Sequence, residues 1–283
     1  MEPALVDQPY RIGLGERFTT EAMINGQGPF ELVIDTGSSQ TILFTSVGKK
    51  LGLTPEPGAD ITIHGISATV TSHPFKLKEL ALSNERVVDL PIAILDDPSS
   101  AQGEPDGVLG IDVLERYFLA FDSESRRFRL FPRGAKPQPF SGWPSAVMTP
   151  RRLRGLRVDF WFVEARYAGY PATTLVDLGA GVNILTWELA RHLVSRKDMP
   201  ARNAEEVRDA LGKGFPAFRL EGLPIELARQ RWRKEIALVA DVPVFVILDM
   251  AGRPSAIVGA GLLKNDSFAL DFESRRLHVA PRR

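Results

Sequence analysis

Two carboxylates stand out for their surroundings. Asp35 closes the apolar run in "FELVIDTGSSQTIL" (30–43) and is followed by Thr36, Gly37 and Ser38, while Asp177 holds the same place in "ATTLVDLGAGVNIL" (172–185). A strand that ends in Asp-Thr-Gly presents its carboxylate on a tight loop, and Gly37, lacking a Cβ, leaves room for a water beside the acid. If the two segments pack about a twofold axis, Asp35 and Asp177 meet and share a proton, because two like charges about 3 Å apart cannot both ionise cheaply. One carboxylate then activates water and the other, as an acid, polarises a carbonyl. The chemistry expected of such a pair is hydrolysis without a covalent intermediate.

The elements that must position these loops are also duplicated. With Asp35 laid over Asp177, Pro29 falls on Pro171, Gly37 on Gly179, Ile42 on Ile184 and Leu43 on Leu185. Further on, "VLGIDVLERYFLAFDSESRRFRLFP" (108–132) lies on "IVGAGLLKNDSFALDFESRRLHVAP" (257–281) without a gap, matching Gly110 to Gly259, Asp122 to Asp271 and Pro132 to Pro281. Two blocks in the same order identify a tandem duplication. The copies are separated by the Pro- and Gly-rich "PRGAKPQPFSGWPSA" (132–146), which places the lobes at 1–138 and 139–283. Short runs rich in β-branched and aromatic residues, bounded by Gly, Pro and Asn, predict a mostly β protein. Helical spacing is confined to "TWELARHLVSRK" (186–197) and "GIDVLERY" (110–117), one or two short helices per copy.

Composition narrows the function classes. Of 283 residues, 44% are hydrophobic and 25% charged, as in a globular protein with a real core. Lys plus Arg and Asp plus Glu number 35 each, so no net field points to nucleic acid or anionic lipid. The absence of cysteine removes thiol catalysis and thiolate metal sites. The four histidines, at 64, 73, 192 and 278, lack ligand spacing, so no metal or other cofactor is expected. The longest apolar run, "IALVADVPVFVILDMA" (236–251), is interrupted by Asp241, Pro243 and Asp249; it reads as buried strands rather than a membrane span. The start "MEPALVDQPY" suits a chain from which a signal peptide has been trimmed.

On "VIDTGSS" (33–39), "DGVLGIDVL" (106–114) and "AFDSESRRFRLF" (120–131), with "LVDLGAG" (175–181), "AIVGAGLL" (256–263) and "ALDFESRRLHV" (269–279), the chain resembles a retropepsin-like aspartic protease. The likeness is to the bacterial form, with two such units fused in one chain, and it runs over nearly the whole length. It implies two β-barrel lobes about a pseudo-twofold axis and a peptide or protein substrate in the cleft between them. A monomer is expected, since one chain contains both halves of the site. The resemblance also implies export, with the periplasm or exterior as the expected location and the cytoplasm as the alternative. It implies a glycine turn crossing behind each acid loop, and a flap, for which "DITIHGISATVTS" (60–72), with His64, Gly65 and Ile66 at its tip, is the candidate. "LGKGFPAFRLEG" (211–222) is the second-copy candidate.

Copy two departs from the pattern where it bears on activity. In the family each motif threonine hydrogen-bonds to the opposite loop; Thr36 can do so, but Leu178 has no hydroxyl. Ser38 is expected to donate to the outer oxygen of Asp35, whereas Ala180 offers nothing to Asp177, so Asp35 is expected to ionise first. The alternative to an active enzyme is a peptide-binding or scaffolding protein in which Asp177 is a relic. Asp122 and Asp271, in "FDSESRR" and "LDFESRR", read as structural turn residues. "PRRLRGLR" (150–157) and "RQRWRK" (229–234) read as solvated strand faces rather than nucleic-acid contacts. "GLGERF" at 13 lacks the third glycine of a dinucleotide loop.

Overall fold

In the first lobe, Asn25-Gly26 turns strand Phe18–Ile24 back into Gln27–Ile34, with φ of 50° and 75°. In the second, Ala168-Gly169 does the same between Phe160–Tyr167 and Tyr170–Asp177, with φ of 45° and 85°. Paired positive φ values match the right-handed twist of the flanking strands, which is why a glycine stands at each turn. The hairpin strand that returns from each turn delivers one acid to the site.

The computed structural model describes residues 3–64, 69–98, 103–153, 156–194, 205–208 and 214–282. In lobe one the strands run in the order Phe18–Ile24, Gln27–Ile34, Gly107–Leu109, Ile42–Phe44, Glu85–Leu95 and Pro74–Leu82, and the last pairs with the first to close a barrel. Lobe two repeats it with Phe160–Tyr167, Tyr170–Asp177, Ser255–Gly259, Asn183–Leu185, Gln230–Val239 and Gly214–Leu227. The protein is mostly β, in two retropepsin-like lobes. Short helices, Thr45–Lys50 and Ile111–Leu114 in the first copy, Trp187–Leu193, Pro243–Ile247 and Ala260–Leu263 in the second, fill the ends.

The segment 236–251 is only partly the buried strand its composition suggests. Its first residues finish Gln230–Val239, but Pro243 then opens the helix Pro243–Ile247, where a missing N–H costs nothing. Among the described residues no helix is long and apolar enough to cross a membrane.

A third layer joins the barrels. Val6–Pro9, Arg127–Pro132 and Tyr117–Asp122 continue into Phe268–Asp271, Arg276–Val279 and Ser145–Arg151 as one antiparallel array. Ala120 lies opposite Ala269, its own counterpart in the repeat, and Leu119 and Phe121 face Leu270 and Phe268. The pseudo-twofold axis therefore passes between Ala120 and Ala269. On one side of this sheet Phe121 stacks on Phe268 at 4.5 Å, and Phe18 packs on both within a core shared by the two lobes. On the other side, Phe140 and Trp143 of the linker cover Phe118, Phe131 and Ala269. Asp122 and Asp271 each accept two backbone N–H bonds in their hairpin turns, as expected of structural residues.

Phe121→Ala removes the ring at the centre of the inter-lobe core. The expected loss is about 3–5 kcal/mol of unfolding free energy, measured by urea denaturation, and a change below about 1 kcal/mol would show that the aromatic stack does not hold the lobes together.

Candidate active site

Each acid loop is built from its strand and from the glycine turn behind it. Strand Gln27–Ile34 pairs in parallel with Gly107–Leu109, the Asp35 N–H donates to the Leu109 carbonyl (3.0 Å), and the Ile111 N–H donates to that of Ser38 (2.9 Å). In lobe two Asp177 pairs with Gly259, and the Ala260 N–H donates to the Ala180 carbonyl (2.7 Å).

The two carboxyls meet at the axis and hydrogen-bond to one another. Asp35 Oδ1 accepts the N–H groups of Gly37 (2.7 Å) and Ser38 (3.0 Å), and Asp177 Oδ1 accepts those of Gly179 (2.9 Å) and Ala180 (3.1 Å). The motif glycines have a tighter purpose than leaving room for water. A Cβ at Gly37 would stand 2.4 Å from Asp177 Cγ, and one at Gly179 would stand 2.1 Å from Asp35 Cγ. Each glycine is the floor on which the opposite carboxyl rests.

Thr36 supplies the cross-loop lock. Its buried hydroxyl donates to the Val176 carbonyl (2.8 Å) and accepts the Leu178 N–H (3.0 Å). The Leu178 side chain returns no such bond and is instead fully buried in the core shared by the lobes. Half the lock is polar and half is apolar packing.

Ser38 does not act as expected. Its hydroxyl donates to the Gln40 carbonyl (2.8 Å), because the tight loop turns it toward its own backbone, and only its N–H reaches Asp35. The asymmetry between the acids has other sources. Asp177 is 5% exposed whereas Asp35 is only half-buried. Burial raises the Asp35 carboxyl above its ordinary value, opposed by the Gly37 amide, the Asp177 hydrogen bond, the Ser38 amide and the charge of Arg17. Burial, and then the Asp35 charge, push Asp177 well above its ordinary value. Both carboxyls are pushed up, and the deeper burial of Asp177 together with the charge of Asp35 favours the shared proton on the Asp177 side.

Sequence reasoning missed Arg17. The residue is 9% exposed, and its guanidinium donates to the Leu14 carbonyl (3.1 Å) and pairs with Glu104 (3.2 Å). The preceding turn Leu14–Glu16 crosses into lobe two: a Cβ on Gly181 would fall 1.5 Å from the Gly15 carbonyl oxygen, and Glu16 pairs with Lys264. The available signal was Gly15 followed by Glu16 and Arg17 before a strand, which "GLGERF" shares with many loops.

The described parts of the flap candidates are paired strands. Ile61–His64 pairs with Thr69–Ser72, placing His64 at the strand end; Gly65 and Ile66 lie outside the described residues. In lobe two Glu205–Arg208 pairs with Gly214–Ala217, while residues 211–213 of the second candidate lie outside the described residues. The basic stretch 229–234 divides by strand alternation: Arg231 and Arg233 are exposed, but Trp232 is buried, with its Nε1 donating to Asp266 (2.9 Å) and Arg282 over its ring. That corrects a wholly solvated face to a mixed one. Among the described residues no group of three His, Asp or Glu side chains could hold a metal ion.

The glycine geometry predicts that Gly37→Ala and Gly179→Ala separate the carboxyls, because the clash is with a buried polar group rather than a flexible tip. The raised carboxyls also set a pH dependence. A group whose folded value exceeds its unfolded value contributes stability that is full below the unfolded value and lost as pH rises through the folded one. Asp177→Asn, which cannot be charged, should therefore melt above wild type at neutral and alkaline pH, with the gap closing toward about pH 4. Parallel melting curves at every pH would refute a raised Asp177.

Residues 20–113 match the family described as Aspartyl protease. A comparison with curated proteins found no match. The matched segment holds Asp35, its loop and the glycine turn at 107–110, and the second barrel repeats the same strand order around Asp177. The first lobe thus carries a segment similar to the aspartyl protease family, and the second barrel repeats its strand order in the same polypeptide.

Proposed function

We propose that the chain is an aspartic endopeptidase with Asp35 and Asp177 as its catalytic pair. The observation that carries this reading is the hydrogen-bonded carboxyl pair of unequal burial at the axis between two lobes. A peptide would lie in the inter-lobe cleft as an added strand beneath the paired strands Ile61–His64 and Thr69–Ser72, its main chain paired and its side chains in apolar pockets. Asp35 takes a proton from a water as the water oxygen adds to the scissile carbonyl, while Asp177 gives its proton to the carbonyl oxygen. Collapse of the tetrahedral species expels the amine, which takes the proton from Asp35, and the gem-diol proton returns to Asp177. Both halves of the site lie in one chain, so the working unit is a monomer.

The Leu178 side chain favours a second reading, a peptide-binding protein with the same cleft and impaired chemistry. Cleavage of an unbiased peptide library from roughly pH 3 to 7 separates the two, with Asp35→Asn and Asp177→Asn each expected to lower turnover by about 10²–10⁴. Capture of peptides by wild type without cleavage would favour the binder. Leu178→Thr restores the second hydroxyl of the lock. For an active wild type it is expected to raise kcat by a few-fold, on the order of one hydrogen bond, with KM unchanged.

A further inference from the structure

The loop carrying Asp35 is held from behind by an acid that the reaction does not use. Thr41 is fully buried; its hydroxyl donates to Asp112 Oδ1 (2.9 Å) and accepts the Gly110 N–H (3.2 Å). Gly110 is wedged in place, since a Cβ there would lie 2.5 Å from the Gln40 carbonyl carbon and 2.8 Å from Asp112 Oδ1. The flanking bonds, Asp35 N–H to the Leu109 carbonyl and Ile111 N–H to that of Ser38, tie the same turn to the acid loop. Burial pushes the Asp112 carboxyl up to about 6, opposed chiefly by Thr41 and by the charge of Arg116. The charged group facing it is Arg116, on the end of its own helix, whose Nε donates to the Asp112 main-chain carbonyl; the strand side presents the uncharged Thr41.

In lobe two the group that accepts from the glycine turn does not titrate, and the carboxylate nearest that position, Glu16, is paired with Lys264. Asn183 stands where Thr41 does, and Gly261 where Asp112 does. Asn183 Oδ1 accepts the Gly259 N–H (3.3 Å), and its Nδ2 donates to the Ile236 carbonyl (3.1 Å).

We propose that Asp112 is a positioning residue for Asp35, acting through Thr41 to fix the Gly110 turn, and that it makes this support switchable in lobe one alone. An ionised Asp112 can only accept, so it holds the Thr41 hydrogen toward itself and leaves the Thr41 oxygen for Gly110. A protonated Asp112 can instead donate to that oxygen, which frees the Thr41 hydrogen to rotate and leaves no lone pair fixed on the Gly110 N–H. The turn is therefore firmer when Asp112 is charged. Its consequence for turnover rests on the reading of Asp35 as the catalytic base.

Amide hydrogen exchange provides the test, with the Gly259 N–H as the internal control because its acceptor does not titrate. In wild type the protection of Gly110 relative to Gly259 should rise about fivefold as pH passes through 6, the worth of one modest hydrogen bond. Asp112→Asn and Thr41→Val should each leave that ratio flat, and the first should also remove the matching step from kcat/KM. A flat ratio in wild type, or a step that persists in both variants, overturns the proposal. The exchange ratio decides the positioning role whether or not peptides are cut; a lack of cleavage counts against the assignment of Asp35 as base alone.

Discussion

Two carboxyl groups held against each other at the axis between the lobes set the conditions that the rest of the molecule meets. Left to themselves, like charges at this distance would separate or drag in water. Here four backbone N–H groups, two to each acid, keep the carboxyls in place, and a glycine beneath each leaves no room for retreat. One shared proton then becomes the cheapest state. The dyad titrates as a unit, so its protons belong to the pair before they belong to either residue.

Such a contact needs lobes that cannot drift, and the inter-lobe sheet provides this. Main-chain pairing across Ala120 and Ala269 fixes the axis, while the Phe121 and Phe268 rings remove one face of that joint from water. Each lobe's entry segment then reaches over to the other. Glu16 of the first pairs with Lys264, beyond the second glycine turn. Asp159 of the second lies near Glu115, which stands at the place corresponding to Lys264. The symmetry of the fold survives here while the charges are exchanged.

Much of this was legible in the sequence because it depends on local rules repeated twice. Strand periodicity, the Asp-Thr-Gly loop and the glycine turns have fixed spacings, and two copies reinforce each other. What escaped depends on contacts between segments far apart. Ser38 carries a hydroxyl that sequence alone would aim at Asp35, yet the loop turns it to Gln40. Arg17 acts on Asp35 only because the irregular turn Leu14–Glu16 before it brings a residue distant in sequence near the acid. Trp232, set among arginines, is buried because strand alternation outranks composition.

The two lobes have diverged in a consistent direction. Lobe one retains the polar devices: Thr36 spanning the axis, Arg17 near its acid, and the Thr41–Asp112 pair behind the turn. Lobe two replaces them with Leu178, Asn183 and Gly261, and buries its acid more deeply. Burial and apolar neighbours disfavour charge, so Leu178 and the deeper burial of that lobe's acid move the shared proton toward Asp177. A symmetric homodimer must give both acids the same surroundings and leave the choice of base to the substrate. Duplication in one chain removes that constraint, and the residues around each carboxyl can be tuned for a single role.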